Sequence, residues 1–124
     1  MDTREKIAAP EAARERAHQA RQAGARVVLV VGHFDPLLAE HALRLAEARQ
    51  TGGWLVAAVA DAPAPILPAR ARAELVAALR AVDCVVLGDG TGIAADTVID
   101  ERAEDLRRAE ELRAHVRARA GLRA

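Results

Sequence analysis

Along this chain, apolar runs rich in β-branched residues alternate with stretches whose apolar positions recur at helical spacing. Arg26–Val31 is one such run, closed by Gly32. A run without polar alternation predicts a strand covered on both faces, as in a parallel sheet. Trp54–Ala60 and Asp83–Leu87 read the same way. The intervening segments read as helices. Pro10–Ala23 starts on a proline and closes at Gly24, with mostly alanine at its apolar positions. Leu38–Arg49 carries Leu38, Ala42, Leu45 and Ala46 on one stripe, with Gly52-Gly53 expected to end it. After Ala62-Pro63-Ala64-Pro65, which holds the chain extended, a helix from Pro68 to about Arg80 is expected to bury Leu75, Val76 and Leu79. From about Asp96 to Arg119 one long helix is expected, dense in Arg and Glu, with Leu106, Ala109, Leu112 and Val116 as a narrow apolar stripe. Strands alternating with helices predict a three-layer α/β sandwich on a small, three-stranded parallel sheet with right-handed crossovers.

Size and composition narrow the picture. The 124 residues fit one domain spanning 1–124. Aromatic side chains make up 2%, Phe34 and Trp54, so stacking of bases or sugars is poorly provided for. Basic and acidic side chains balance at 18 each and are interleaved, which argues against a nucleic-acid binder. A single cysteine, Cys84, fits a reducing compartment and a place in the core. With no run of membrane-spanning length and no signal peptide, a cytoplasmic protein with no membrane partner is expected.

The candidate chemistry sits where the first strong strand ends: Gly32-His33-Phe34-Asp35, then Pro36-Leu37-Leu38-Ala39-Glu40-His41 opening a helix. Residues 24–88 resemble the cytidylyltransferase-like nucleotidyltransferases, and most of all the adenylyltransferase domain of heptose 1-phosphate enzymes. Those carry Gly-x-Phe-Asp followed by His-x-Gly-His. The similarity continues through Leu43–Arg49, the Trp54–Ala60 strand, Pro65-Ile66-Leu67-Pro68, Arg72-Ala73-Glu74 and Leu79–Asp83. It implies a Rossmann-like fold in which Gly32, His33, Phe34, Asp35, Glu40, His41, Asp61, Arg72 and Arg80 are the candidates for nucleotide or phosphate contact. His41 would be the catalytic one, with Mg²⁺ and ATP or CTP in an active enzyme. Nucleotidyl transfer rests on positioning and charge neutralisation, which imidazoles and free N–H groups at a helix start can supply.

The departures from that pattern point away from transfer. Leu38 stands where the first histidine would be, and Glu40 where the glycine would be. A carboxylate about 4 Å from a phosphate costs about 4 kcal/mol at an effective dielectric near 20. On the first turn of a helix it also suits the dipole, so Glu40 is expected to take the place of the missing anion. The loop after the second strand is shortened to Asp61-Ala62-Pro63-Ala64, and no lysine follows Lys6. Family members continue into further strands and a phosphate loop, so the chain is expected to be truncated after the first half of the fold.

Other residues carry lesser readings. His33, Asp35, Glu40 and His41 form a set Zn²⁺ or Mn²⁺ accepts, but Asp35 is expected to order the turn through backbone N–H groups, and no metal is assigned. Gly88–Gly92 lacks the last glycine of a dinucleotide loop and reads as a turn. Asp61 either meets a ribose hydroxyl or starts its turn. Arg80 and Asp83 read as a structural pair or a solvated contact. The expected function is a degenerate adenylyl/cytidylyltransferase-like protein that lacks transfer and keeps residual nucleotide or phosphometabolite binding. The alternatives are an active divergent enzyme and a scaffold module built on the last helix. A homodimer is expected, because a three-stranded sheet leaves apolar surface and an edge to cover.

Overall fold

The computed structural model describes residues 2–50 and 53–121. Five parallel strands form one sheet in the order β1-β4-β3-β2-β5. These are β1 (Ile7–Ala8), β2 (Arg26–Gly32), β3 (Gly53–Val59), β4 (Cys84–Leu87) and β5 (Thr97–Asp100). Four helices accompany them: α1 (Pro10–Gln22), α2 (Ala39–Arg49), α3 (Ala69–Ala77) and α4 (Arg102–Gly121). This is the α/β sandwich on a parallel sheet that the apolar runs predict, with a long last helix. No helix among the described residues is long and apolar enough to cross a membrane.

The strand count is the main difference from expectation. Thr97-Val98-Ile99-Asp100 is not the start of a helix but a fourth full strand beside β2, with Val98 on one face and Ile99 on the other. Its β-branched run favours strand over helix, yet four residues are too few to stand out in the pattern. Ile7–Ala8 adds the opposite edge by pairing with β4. The chain beyond β4 is therefore more than a loop and a helix. The helix after Pro68 ends at Ala77, and Leu75 is 44% exposed where burial was expected.

The sheet separates two apolar clusters. Val28, Val30, Leu55, Ala57 and Val85 face α2 and α3, packing with Phe34, Leu45 and Val76. Leu29, Val31, Val56, Ala58 and Val86 face α1, where Ala13 and the segment carrying Ile93 and Ala95 cover them. Helix α4 covers neither face. Of its 20 residues only Asp105 and Ala109 are buried, and Leu106 and Val116 are 41% and 58% exposed.

The expected cap of α2 lies partly outside the described residues, at Gly52. Gly53 opens β3 instead, where a Cβ would sit 1.8 Å from the Arg49 carbonyl. Asp83 joins this end of the sheet to α2 rather than to Arg80. Its Oδ2 accepts from the Leu55 N–H at 2.8 Å and from Arg49 Nε at 3.0 Å. Asp83→Ala strands the buried Leu55 N–H and is expected to cost about 1–3 kcal/mol, read as a lower denaturant midpoint with unchanged m-value.

Candidate functional site

In parallel sheets ligands gather at the carboxyl ends of the strands, where neighbouring connections leave in opposite directions. Here that point is the end of β2, whose neighbours are β3 on one side and β5 on the other. The chain leaves β2 at Gly32, turns through His33–Leu38, with a cis Asp35–Pro36 bond, and enters α2. Phe34 adopts φ 49°, a left-handed conformation uncommon outside glycine. Its ring is fully buried. This bend turns the His33 and Phe34 N–H groups to one side, making a backbone nest for an anion.

An anion of the protein itself occupies that nest. Asp105, in the first turn of α4, accepts the His33 N–H at 2.8 Å and the Phe34 N–H at 3.3 Å on Oδ2. Its Oδ1 lies 2.8 Å from His41 Nε2, and both side chains are 2% exposed. The Leu38 N–H donates to His41 Nδ1 at 2.9 Å. Nδ1 thus carries no proton, and Nε2–H is the donor to Asp105. The Phe34 ring meets the imidazole edge to face at 5.4 Å. Burial pushes the Asp105 carboxyl up, but the His41 hydrogen bond and the His33 and Phe34 N–H groups outweigh it and hold the carboxyl below its ordinary value.

Gly32 makes this approach possible. A Cβ there would lie 2.6 Å from Asp105 Oδ2 and 3.1 Å from the Phe34 ring. Arginines surround the contact. Arg108 reaches Glu40 and Glu104 at 3.4 Å and Asp105 at 3.6 Å, while Arg44 pairs with Glu101 at 3.1 Å. Arg113 donates to the Ala64 carbonyl, tying α4 to the loop after β3.

The candidates named from sequence separate accordingly. Gly32, His33, Phe34 and His41 come together around the nest. Glu40 does not take the place of the anion: its side chain is 66% exposed and turned to Arg108, and Asp105 has that place. Asp35 accepts the Ile66 and Leu67 N–H groups at 2.7 and 2.8 Å, so it orders the loop before α3 rather than its own turn. Arg72, 2% exposed, donates to the carbonyls of Leu67, His33 and Ala60, clamping backbone. Asp61 is exposed at the end of β3 and borders an open cleft of about 590 Å³ with His33, Asp89 and Arg102. Arg80 lies in the turn before β4, at the opposite end of the sheet. Gly88–Gly92 is a turn, in which Asp89 accepts the Thr91 N–H.

His33, Asp35, Glu40 and His41 are not brought together as one ligand set. The group with metal-like spacing among the described residues is His41, Glu101 and Asp105, within 4.8 Å. Their partners are already internal: Arg44 stands against Glu101, Arg108 against Asp105, and His41 donates to Asp105. Asp105 is the residue that sequence reasoning missed. Nothing local distinguishes it from Glu104, Glu110 or Glu111 on the same charged helix.

The sequence finds counterparts among known proteins. A stretch of 73 residues is 42% identical to FAD synthase of Methanoregula boonei, covering 54% of this chain and 49% of that protein. Bifunctional protein HldE of Halorhodospira halophila and its namesake from Yersinia pestis are each 43% identical over 77 residues, 55% of this chain and 16% of theirs. The chain thus spans about half the length of the first relative and a sixth of the others. No family model matches. These similarities relate the chain to the cytidylyltransferase-like nucleotidyltransferases.

Two outcomes follow for the nest. Asp105→Ala leaves three donors without an acceptor and is expected to cost about 3–5 kcal/mol in chemical denaturation; Gly32→Ala should destabilise through the same contact. The folded Asp105 carboxyl titrates below its unfolded value of about 3.9, so the unfolded chain takes up the proton first. Its contribution is whole above that value and disappears as pH falls through the folded one. Stability curves of wild type and Asp105→Asn should therefore converge on acidification below about pH 4 and separate above it.

Proposed function

We propose that this chain is a nucleotidyltransferase-like protein that does not transfer nucleotidyl groups, because the place a phosphate would take is held by its own Asp105. The observation that carries this reading is the buried carboxylate on the His33 and Phe34 N–H groups and His41 Nε2. Those donors are of the kind that steady phosphates at a helix start. A triphosphate entering there meets a fixed negative charge at hydrogen-bond range, and the chain has no lysine after Lys6 to offset it. The residual nucleotide or phosphometabolite binding expected from the sequence has no place in the nest itself. The relatives' names describe a synthase and a bifunctional protein, and the chemistry of this chain is argued from its own residues.

A cytoplasmic homodimer belongs to the same proposal. The free side of β5 supports it, because Val98 is 60% exposed there and no strand among the described residues pairs beyond it. The stripe on α4 supports it less, since Leu106 borders the cleft and Leu112 a small cavity under the helix.

The experiment is a pyrophosphate-release assay with ATP or CTP, Mg²⁺ and a panel of sugar and alcohol phosphates, run beside thermal melts in inorganic phosphate. No pyrophosphate above background is expected from wild type, and phosphate should leave its Tm unchanged. Asp105→Ala, with the nest vacated, should gain Tm as phosphate rises, by about 2.7 kcal/mol of stabilisation at a hundredfold excess over Kd. Release of pyrophosphate that His41→Ala abolishes would replace this reading with that of an active divergent nucleotidyltransferase using Mg²⁺ and ATP or CTP.

A further inference from the structure

Closing the nest leaves open the cleft beyond it, between the loop after β3 and the first turns of α4. Two cavities of about 590 and 180 Å³ meet there, sharing His33, Pro63 and Leu106. His33 is 5% exposed, and its Nδ1 lies 3.1 Å from the Ala60 carbonyl. A carbonyl oxygen only accepts, so Nδ1 carries the proton and Nε2 keeps its lone pair. Among the described residues nothing bonds to Nε2, and it is not one of the polar atoms sealed from water. A nearly buried imidazole thus presents a free acceptor to the cleft.

The charge around that acceptor is the reverse of what a phosphate needs. Asp61, Asp89 and Glu110 border the two cavities, besides the carboxylates of Asp35 and Asp105 that are spent on backbone N–H groups. The guanidiniums present are engaged elsewhere. Arg102 is bidentate on Asp100, whose carboxyl it pulls down to about 2, and Arg113 is held by the Ala64 carbonyl. Pro63 and Leu106 supply apolar walls. Acceptors in excess of donors, on an apolar frame, select a ligand that brings donors of its own. Of the residues with metal-like spacing only Asp105 borders the cleft, and it is spent on the nest, so the cleft suits an organic molecule rather than an ion.

We propose that this cleft binds a small molecule bearing hydroxyl and amino groups and no phosphate, with its donors on His33 Nε2 and the Asp61 carboxylate. The assignment rests on the reading that Asp105 closes the nest, and it turns the site from phosphate ligands to phosphate-free ones.

Calorimetric titration of the full chain with adenosine and with glucosamine tests it, with ADP as the contrast. At least one of the two phosphate-free probes is expected to bind wild type, at least about tenfold more tightly than ADP does. Asp61→Asn, on the exposed rim, should weaken that probe about fivefold or more with unchanged Tm. In protein carrying ¹⁵N-labelled histidine, the His33 Nε2 resonance should move on adding the probe, a readout that needs no variant to fold. If neither adenosine nor glucosamine binds or moves that resonance, while ADP still gains affinity in Asp105→Ala, the cleft assignment falls and the closed nest stands. If ADP binds wild type as tightly as Asp105→Ala, the closed nest falls, and this inference with it.

Discussion

The turn after β2 offers more hydrogen-bond donors than the local chain can satisfy. The His33 and Phe34 N–H groups point one way, and the Leu38 N–H, by bonding His41 Nδ1, obliges the imidazole to donate from Nε2 toward the same spot. A buried donor left unmatched costs about 1–3 kcal/mol, so this corner requires an anion. A free anion would have to be captured from solution. Asp105 is delivered by the chain, and its entropy of arrival is largely met when β5 pairs with β2 and α4 follows two residues later. Much else in the region answers to this contact: the missing Cβ at Gly32, the left-handed Phe34, and the placement of a helix that otherwise buries little.

The charges around Asp105 make sense as a consequence. A carboxylate taken out of water has to be compensated, and donors alone leave a net negative charge. Arg108, four-fifths or more buried at 13% exposure, stands 3.6 Å away and is shared with Glu40 and Glu104. Arg44 and Glu101 close the side toward β5. Two guanidiniums thus meet the carboxylates of the cluster, which connects α2 with α4 across the strand ends. Helix α4 is held there by polar contacts at the switch point of the sheet, not by an apolar face. That explains why Leu106 and Val116 on its stripe are left exposed, while Leu112 is half-buried.

Much of this was legible in the sequence, and the rest was hidden for identifiable reasons. Continuous apolar runs marked β2, β3 and β4, and the Gly32–His41 turn marked the place where the fold gathers its chemistry. The four residues of β5 carry a strand composition but sit between charged neighbours, so helical propensity on either side absorbed them. Glu40 was expected to supply an internal anion, because it stands on the first turn of the helix and suits its dipole. The residue in place is 64 positions from its imidazole partner. Local periodicity cannot report a contact between segments that meet only when β5 pairs with β2. Arg72 was a candidate for phosphate on account of its charge. Its burial and its three carbonyl partners identify it instead as a clamp on the loops that frame the cleft.

His41 shows why a surviving motif residue is weak testimony about activity. Read alone, an imidazole at the start of α2, in a chain related to nucleotidyltransferases, suggests a phosphate ligand. In the folded protein both its nitrogens are committed, one to the Leu38 N–H and the other to Asp105. Those commitments account for the residue without any substrate, as contact with Asp105 Oδ2 accounts for Gly32. A site that had merely lost its function would be expected to leave donors unsatisfied or opened to water. Here the three donors of the nest, the His33 and Phe34 N–H groups and His41 Nε2–H, all meet one carboxylate. The residues that still resemble a phosphate grip have been given an internal partner, and what is free to meet a ligand is the next imidazole along the chain, His33.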